Sequence, residues 1–415
     1  MASSMAKSDS EQEGINRIAF ASVPDGLGPE DDRKDQKKLS TSIYKVMPGY
    51  LEDFIRKSEN NSKFTGFVVD FSLISLLEVA DKFGLKCAVY WCSTPGCMAL
   101  GLNVHKLIEA QVIDANDGTA LSNEKIPLLP NMPPMSPTEF TWCFPSNPNA
   151  QKAIFHFFKS AVYNMISVYS NCLILCNWFN ELNPSTSILK LNPNFLPVGP
   201  ILSDGQSSAG SFVSEDSTCL TWLDNQSPGS VIYVAFGSTS RFTQEQINEI
   251  AFGLELTEKP FLWVGWSGLV NGVVSLTYPD GFDRRVLNRG KIVEWAPQEM
   301  VLGHPSIACF ISHCGWSSIM ESVSMGVRIL CWPYFGDQLY TQTCICEAWK
   351  IGTWLNAGEN GIISRNEIKE KVDMLLSENN IRSNVLKLKQ LARKSISEGG
   401  SSFKNLEFLV NQMKY

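Results

Sequence analysis

Five short apolar runs in the second half of the chain, SVIYVAF, PFLWV, KIVEW, IACFIS and RILCW, restrict the fold more than any other feature. Each has the length of a single strand, and none shows the strict polar–apolar alternation of a half-exposed one. Helix-period segments separate them, including one from Thr243 and one from about Trp316. Strands buried on both faces and joined through helices build a parallel sheet with helices on either side. The first half repeats the pattern more weakly. INRIAFASVP (residues 15–24), FTGFVVD (64–70), KCAVYW and CLILCN read as strands, and residues 39–55, 73–83 and 150–169 as helices. The expectation is an α/β chain of two Rossmann-like domains, facing across a cleft where the carboxyl ends of the strands meet.

A length of 415 residues agrees, since it exceeds one ordinary core. The small, polar stretch SDGQSSAGSFVSEDS, residues 203–217, reads as a linker. It divides a domain of residues 1–202 from one of residues 218–400, with 401–415 as a terminal helix packing back on the first domain. Neither half opens with a strand followed by Gly-x-Gly-x-x-Gly, which sets aside a dinucleotide-dependent oxidoreductase. A net charge of -7 argues against a nucleic-acid partner, and any anionic ligand must be held by local devices. The 12 cysteines follow no metal or disulfide spacing, so they read as reduced, and no metal is expected. No signal-peptide core or membrane-length apolar run occurs, so the expectation is a cytoplasmic monomer with the sequons at Asn60 and Asn225 unused.

The unusual residues of the second half gather at strand ends. KIVEW delivers Trp295, and then Ala296, Pro297 and Gln298: an indole on which a planar heterocycle stacks, beside backbone that reads its edge. IACFIS delivers His313, a turn at Gly315, and a helix from Trp316. There the N–H groups of Ser317 and Ser318 and the positive end of the helix suit a phosphate. Glu321 lies four residues after Ser317, on the same helical face, where a carboxylate accepts both hydroxyls of a ribose. RILCW leads to Asp337 and Gln338, an acceptor beside an amide, as suits vicinal sugar hydroxyls. Ser238, after SVIYVAF, adds a hydroxyl near the phosphates. Each has a plainer alternative: a turn histidine, a core tryptophan, a surface glutamate, an aspartate helix cap.

Trp295 to Gln338 resembles the signature box of the plant UDP-dependent glycosyltransferases of small molecules, which opens W-A-P-Q and closes D-Q. HPSIACFISHCGW, MES and CWPYFGDQ carry the likeness, and SVPDGL, LEVADKFG, STCLTWLD, VIYVAFGS and EGGSS extend it over most of the chain. The resemblance implies a GT-B fold and inverting transfer from UDP-glucose or a related UDP-sugar to a small lipophilic acceptor. It implies no metal and no cofactor beyond that donor. A UDP-sugar-binding protein or partner subunit without turnover is the alternative. Trp142, Phe144 and Phe157 are expected to line the acceptor pocket.

The likeness has gaps. The family's base is a histidine in the first strand-to-helix loop, supported by an aspartate at a later strand end. Asp70 matches the aspartate, with helix capping as its other reading, but His105, His156, His304 and His313 are the only histidines. The chain therefore reads as lacking a first strand, helix and second strand, roughly 30 or more residues. That predicts exposed apolar edges in the first domain, and activity that favours acceptors already ionised, such as carboxylic acids, over alcohols and phenols. Ser317 stands where the family has asparagine, Arg328 where it has proline, and Gly265-Trp266 where it has Val-Arg.

Overall fold

The computed structural model describes residues 21–33, 36–58, 64–144, 147–183, 192–202, 216–265 and 276–414. Within these the chain falls into two compact units, one reaching to Val89 and including 411–414, the other Tyr90–Val410. The first holds α1 (Gln36–Ser58), β1 (Gly66–Asp70), a 3-10 segment Phe71–Leu76, α2 (Leu77–Lys82) and the start of β2 (Lys86–Trp91). Glu52 of α1 pairs with both Arg56 and Lys82, tying α1 to α2. In β1, Val69 is buried whereas Val68 is 53% exposed. A Cβ on Gly66 would lie 2.5 Å from Met413 Sδ, so only glycine lets the chain's last turn approach β1. Of the strand expected over residues 15–24, only 21–24 are described, and these are not strand.

The second unit continues with α3 (Pro95–Glu109), α4 (Pro148–Tyr163), β3 (Leu173–Cys176) and β4 (Phe195–Pro197), the last two paired in parallel. Thr94 and Asn147 cap the two helices through Cys97 N and Ala150 N. The sequence reading omitted α3, whose glycines weaken helical propensity. Both serve packing: Cβ atoms at Gly96 and Gly101 would strike Tyr340 and Val162.

Residues 203–215, most of the expected linker, lie outside the described set, and beyond them helices and strands alternate. They are α5 (Thr218–Asp224), β5 (Val231–Ala235), α6 (Gln244–Leu256), β6 (Phe261–Val264), α7 (Phe282–Val286), β7 (Gly290–Val293), α8 (Gln298–Gly303), β8 (Ile307–Ser312), α9 (Trp316–Met325), β9 (Arg328–Cys331), α10 (Asp337–Thr343), β10 (Gly352–Trp354), α11 (Arg365–Ser377), α12 (Asn379–Ile396) and α13 (Ser401–Lys414). The five apolar runs supply β5 to β9. Strand β10, three residues long, has too little pattern to be read from sequence.

These strands form one parallel sheet in the order β10-β9-β8-β5-β6-β7. Every residue of β5 and β6 is buried. Ile232 and Val234 pack beneath α6, α7 and α11, and Val231, Tyr233 and Ala235 beneath α5 and α8. Strand order reverses between β5 and β8, and the crevice beyond their carboxyl ends is where such sheets hold ligands. Arg328, the departure at the start of β9, donates from Nη1 to the carbonyls of Leu375 (3.2 Å) and Leu376 (2.9 Å). It thereby satisfies carbonyls that the end of α11 leaves without intrahelical partners. Trp266 lies outside the described residues.

Candidate functional site at the β5–β8 switch point

Three helices, α8, α9 and α10, begin directly beyond β7, β8 and β9, and none has a side-chain cap; their N-cap positions are Pro297, Gly315 and Gly336. The scaffold helices α6 and α11, by contrast, are capped by Thr243 and Ser364. At α9 the first N–H groups therefore remain open toward the end of β8, with the positive end of the helix behind them. Ser317 is exposed and Ser318 buried, and the first intrahelical bond comes only at Ile319 N to Gly315 O.

His313 and Gly315 lie at this point, with Gly237, the residue before Ser238, against the His313 ring. Cys314 holds a left-handed φ of 65°, which turns the chain sharply from β8 into α9. The His313 ring is wedged between two glycines: Cβ atoms at Gly237 and Gly315 would lie 2.7 and 2.3 Å from its Nε2. Gly315 thus makes room for an imidazole, in addition to freeing the backbone. Burial pushes that imidazole down to about 4; the Ala235 backbone pulls the other way, without a well-aligned bond to Nδ1. His313 is therefore neutral at physiological pH. Ser238 is exposed on the turn after β5.

Gln298 and Glu321 form a second cluster. Gln298 Nε2 donates to Ser318 Oγ (2.9 Å) and to Glu321 Oε2 (2.8 Å), and Tyr233 OH donates to Gln298 Oε1 at 3.4 Å. The Gln298 side chain is thus committed to protein partners, which leaves its backbone as the group expected to read a ligand. Burial raises the Glu321 carboxyl from 4.5 to about 7, with the Gln298 amide opposing and Glu299 adding. Trp295 is half-buried, and its carbonyl accepts from Asp216 N at 2.9 Å. Ala296 is buried, its own backbone groups unpaired among the described residues.

Asp337 and Gln338 open α10. Burial holds the Asp337 carboxyl above its ordinary value, with the neighbouring Ser93 hydroxyl pulling down. Gln338 Oε1 accepts from Tyr334 N (2.8 Å) and Phe335 N (3.1 Å), which leaves the amide nitrogen as its outward group. The Trp316 side chain is buried and donates from Nε1 to Asn177 O at 2.9 Å, so only its backbone faces the open end of α9.

One expectation changes. Trp142 is core: it is 1% exposed, donates to Gly118 O, and packs on Phe140, Phe155 and Phe158. Phe157 is exposed on α4, and Phe144 meets Phe335 edge-on. Asp70 Oδ1 accepts from both Ser72 N (2.8 Å) and Ser72 Oγ (2.5 Å), capping the 3-10 segment. Sequence reasoning missed Tyr233, Gly237, Ser93 and Asn177. Only Gly237, after an apolar strand, carries a local signal.

Comparison with known proteins agrees with this geometry. A model of the UDP-glucoronosyl and UDP-glucosyl transferase family matches residues 154–396. UDP-glycosyltransferase 83A1 of Arabidopsis thaliana is 38% identical over 99% of this chain and 87% of its own length. Gallate 1-beta-glucosyltransferase 84A24 of Punica granatum is 30% identical over 97% and 78%. Among solved structures, Phytolacca americana UGT2 complexed with UDP-2fluoro-glucose and pterostilbene has a TM-score of 0.76 at 28% identity, covering 91% of this chain and 82% of that one. A Polygonum tinctorium UDP-glucosyltransferase capable of glucosylating indoxyl reaches 0.78 at 27%, covering 94% and 85%. The two parallel-sheet α/β domains are those of the GT-B fold.

Proposed function

This chain belongs to the UDP-glucoronosyl and UDP-glucosyl transferase family, and we propose that it transfers a hexose, glucose in our reading, from a UDP-sugar to a small lipophilic acceptor with inversion at the anomeric carbon. Trp295 stacks on the uracil, and the backbone of Ala296 and Gln298 reads its edge. Glu321 accepts the ribose hydroxyls. The N–H groups of Trp316, Ser317 and Ser318, with His313 and the Ser238 hydroxyl, hold the diphosphate. Asp337 and the Gln338 amide grip the sugar. The observation that carries this reading is the uncapped start of α9 at the switch point, with His313 wedged between Gly237 and Gly315.

The chemistry follows from that arrangement. Bond cleavage leaves negative charge on the UDP oxygens, and fixed N–H dipoles at α9 stabilise it without reorganising. A neutral His313 contributes a hydrogen bond there, not a cation. On the acceptor side, Asp70 Oδ2, outside the Ser72 contacts, is our candidate to support proton removal.

Relatives named for gallate and for mandelonitrile bracket the acceptor classes to test, a carboxylic acid and a hydroxyl. Titration calorimetry with UDP, followed by product analysis with UDP-glucose and both classes, tests the proposal. Heat with UDP but none with ADP, and a glucoside of either class, supports it. No heat with UDP overturns it, and UDP binding without product over the panel would mark a donor-binding protein that does not turn over.

A further inference from the structure

Asn177 and Trp178 follow directly on β3, and both are buried, at 3% and 1% exposure. Each grips Trp316, the first residue of α9. The Asn177 carbonyl accepts from Trp316 Nε1 at 2.9 Å. The Trp178 ring stacks on the Trp316 ring, with centroids 5.7 Å apart and planes 17° from parallel. Trp349 tilts against both rings but hydrogen-bonds to neither.

The grip is itself anchored. Asn177 Oδ1 accepts from Ile201 N at 2.8 Å, and Gly199 N donates to Trp178 O at 2.8 Å. A Cβ at Gly199 would lie 2.4 Å from Asn177 Oδ1 and 2.6 Å from Trp178 N, so the chain passes this point only as glycine. Ser395 of α12 and Ser402 of α13 both donate to the Gly199 carbonyl. The last two helices therefore hold Gly199, and Gly199 and Ile201 in turn hold Asn177 and Trp178 at the end of β3.

We propose that Asn177 and Trp178 are positioning residues for the donor: through Trp316 they set where the open N–H groups at the start of α9 point. This rests on the UDP-sugar reading above. Hydrogen bonds to an anion weaken steeply as angle and distance drift, and the helix-end field fades within one turn. Loosening the first residue of α9 should therefore harm the diphosphate contacts most. Trp295 and Ala296, assigned to the base, lie on another segment and should be little affected.

Uridine and UDP separate these effects, because uridine lacks the phosphates. Trp316→Phe keeps a ring against Trp178 and removes the Nε1 donor. Calorimetry should show UDP affinity reduced about tenfold, as for loss of a charge-assisted contact, with uridine affinity unchanged and the KM for UDP-glucose raised in parallel. Trp349→Phe, which alters the same ring cluster but no hydrogen bond, should leave the UDP-to-uridine affinity ratio at the wild-type value. Should Trp316→Phe fail to fold, Trp178→Phe measures the same ratio from the other ring, with the same direction expected. Equal loss of UDP and uridine affinity, no loss of either, or the same ratio change in Trp349→Phe would overturn the inference. A wild-type protein that takes up no UDP would instead overturn the donor-site reading beneath it.

Discussion

Replacing Glu321 by glutamine should stabilise the ligand-free protein at neutral pH while weakening its hold on UDP. Glu321 lies on the second turn of α9, where burial raises its carboxyl from 4.5 to about 7. Between those pH values the folded protein keeps a proton that the unfolded chain has released. Wild-type stability therefore falls as pH rises through that window, and the loss persists above it. At about 1.4 kcal/mol per pH unit, the accumulated penalty is roughly 3 kcal/mol. Glutamine does not ionise, and its carbonyl oxygen can still accept from Gln298 Nε2. Urea unfolding followed by tryptophan fluorescence, at pH 4.5 and pH 8, reads the difference between the two proteins. That difference should be near zero at the lower pH and roughly 3 kcal/mol in favour of Glu321→Gln at the higher. His313, held down to about 4, makes stability rise with pH from about 4 to 6.5, but it does so in both proteins and cancels in the comparison. A constant offset at both pH values, or a variant less stable at pH 8, would refute a buried, proton-holding carboxyl. UDP affinity measured at pH 8, where the Glu321 carboxyl is ionised, should fall in the same variant, because the ribose loses its charged acceptor.

Further outcomes follow from individual contacts. Gly315→Ala places a Cβ 2.3 Å from His313 Nε2 at a φ of -61°, which alanine tolerates. The overpacking alone should cost about 1–3 kcal/mol, seen as a lowered melting temperature, and UDP affinity should fall with it. Arg328→Met keeps the stem but leaves the α11 carbonyls unpaired, for a loss of about 1–3 kcal/mol in urea unfolding; an unchanged midpoint would show water replacing the guanidinium. The His313 ring resonances in NMR should not titrate between pH 5.5 and 8. Asp70→Asn keeps an oxygen for Ser72, so UDP affinity and folding should hold while glucoside formation drops; unchanged turnover would leave Asp70 as a cap alone.

Strands β5, β6 and β8 were legible because nearly every residue in them is buried, so each reads as an unbroken apolar run, whereas β7, at the sheet edge, is only part-buried and its run carries Lys291 and Glu294. The candidate-site positions could be proposed for a related reason: in a parallel sheet the residues just past each strand share one edge, whatever their distance in sequence. Helix α3 was not, since its two glycines look like breakers until Tyr340 and Val162 are seen against them. Trp142 was misjudged because an aromatic run has the same appearance lining a pocket or filling a core. Its burial depends on Gly118, Phe155 and Phe158, which the sequence does not place beside it.

The sequence alone therefore determined the layered α/β architecture, the strand ends that carry the candidate site, and the residue types offered there. Periodicity and strand-end position are local properties of the chain. Only the tertiary structure decided what those residues are free to do. It tied the Gln298 side chain to Ser318 and Glu321, neutralised His313 by enclosing it between Gly237 and Gly315, and fastened Trp316 to Asn177. Hydrogen-bond commitment and burial depend on neighbours brought from far along the chain, and no local pattern encodes them.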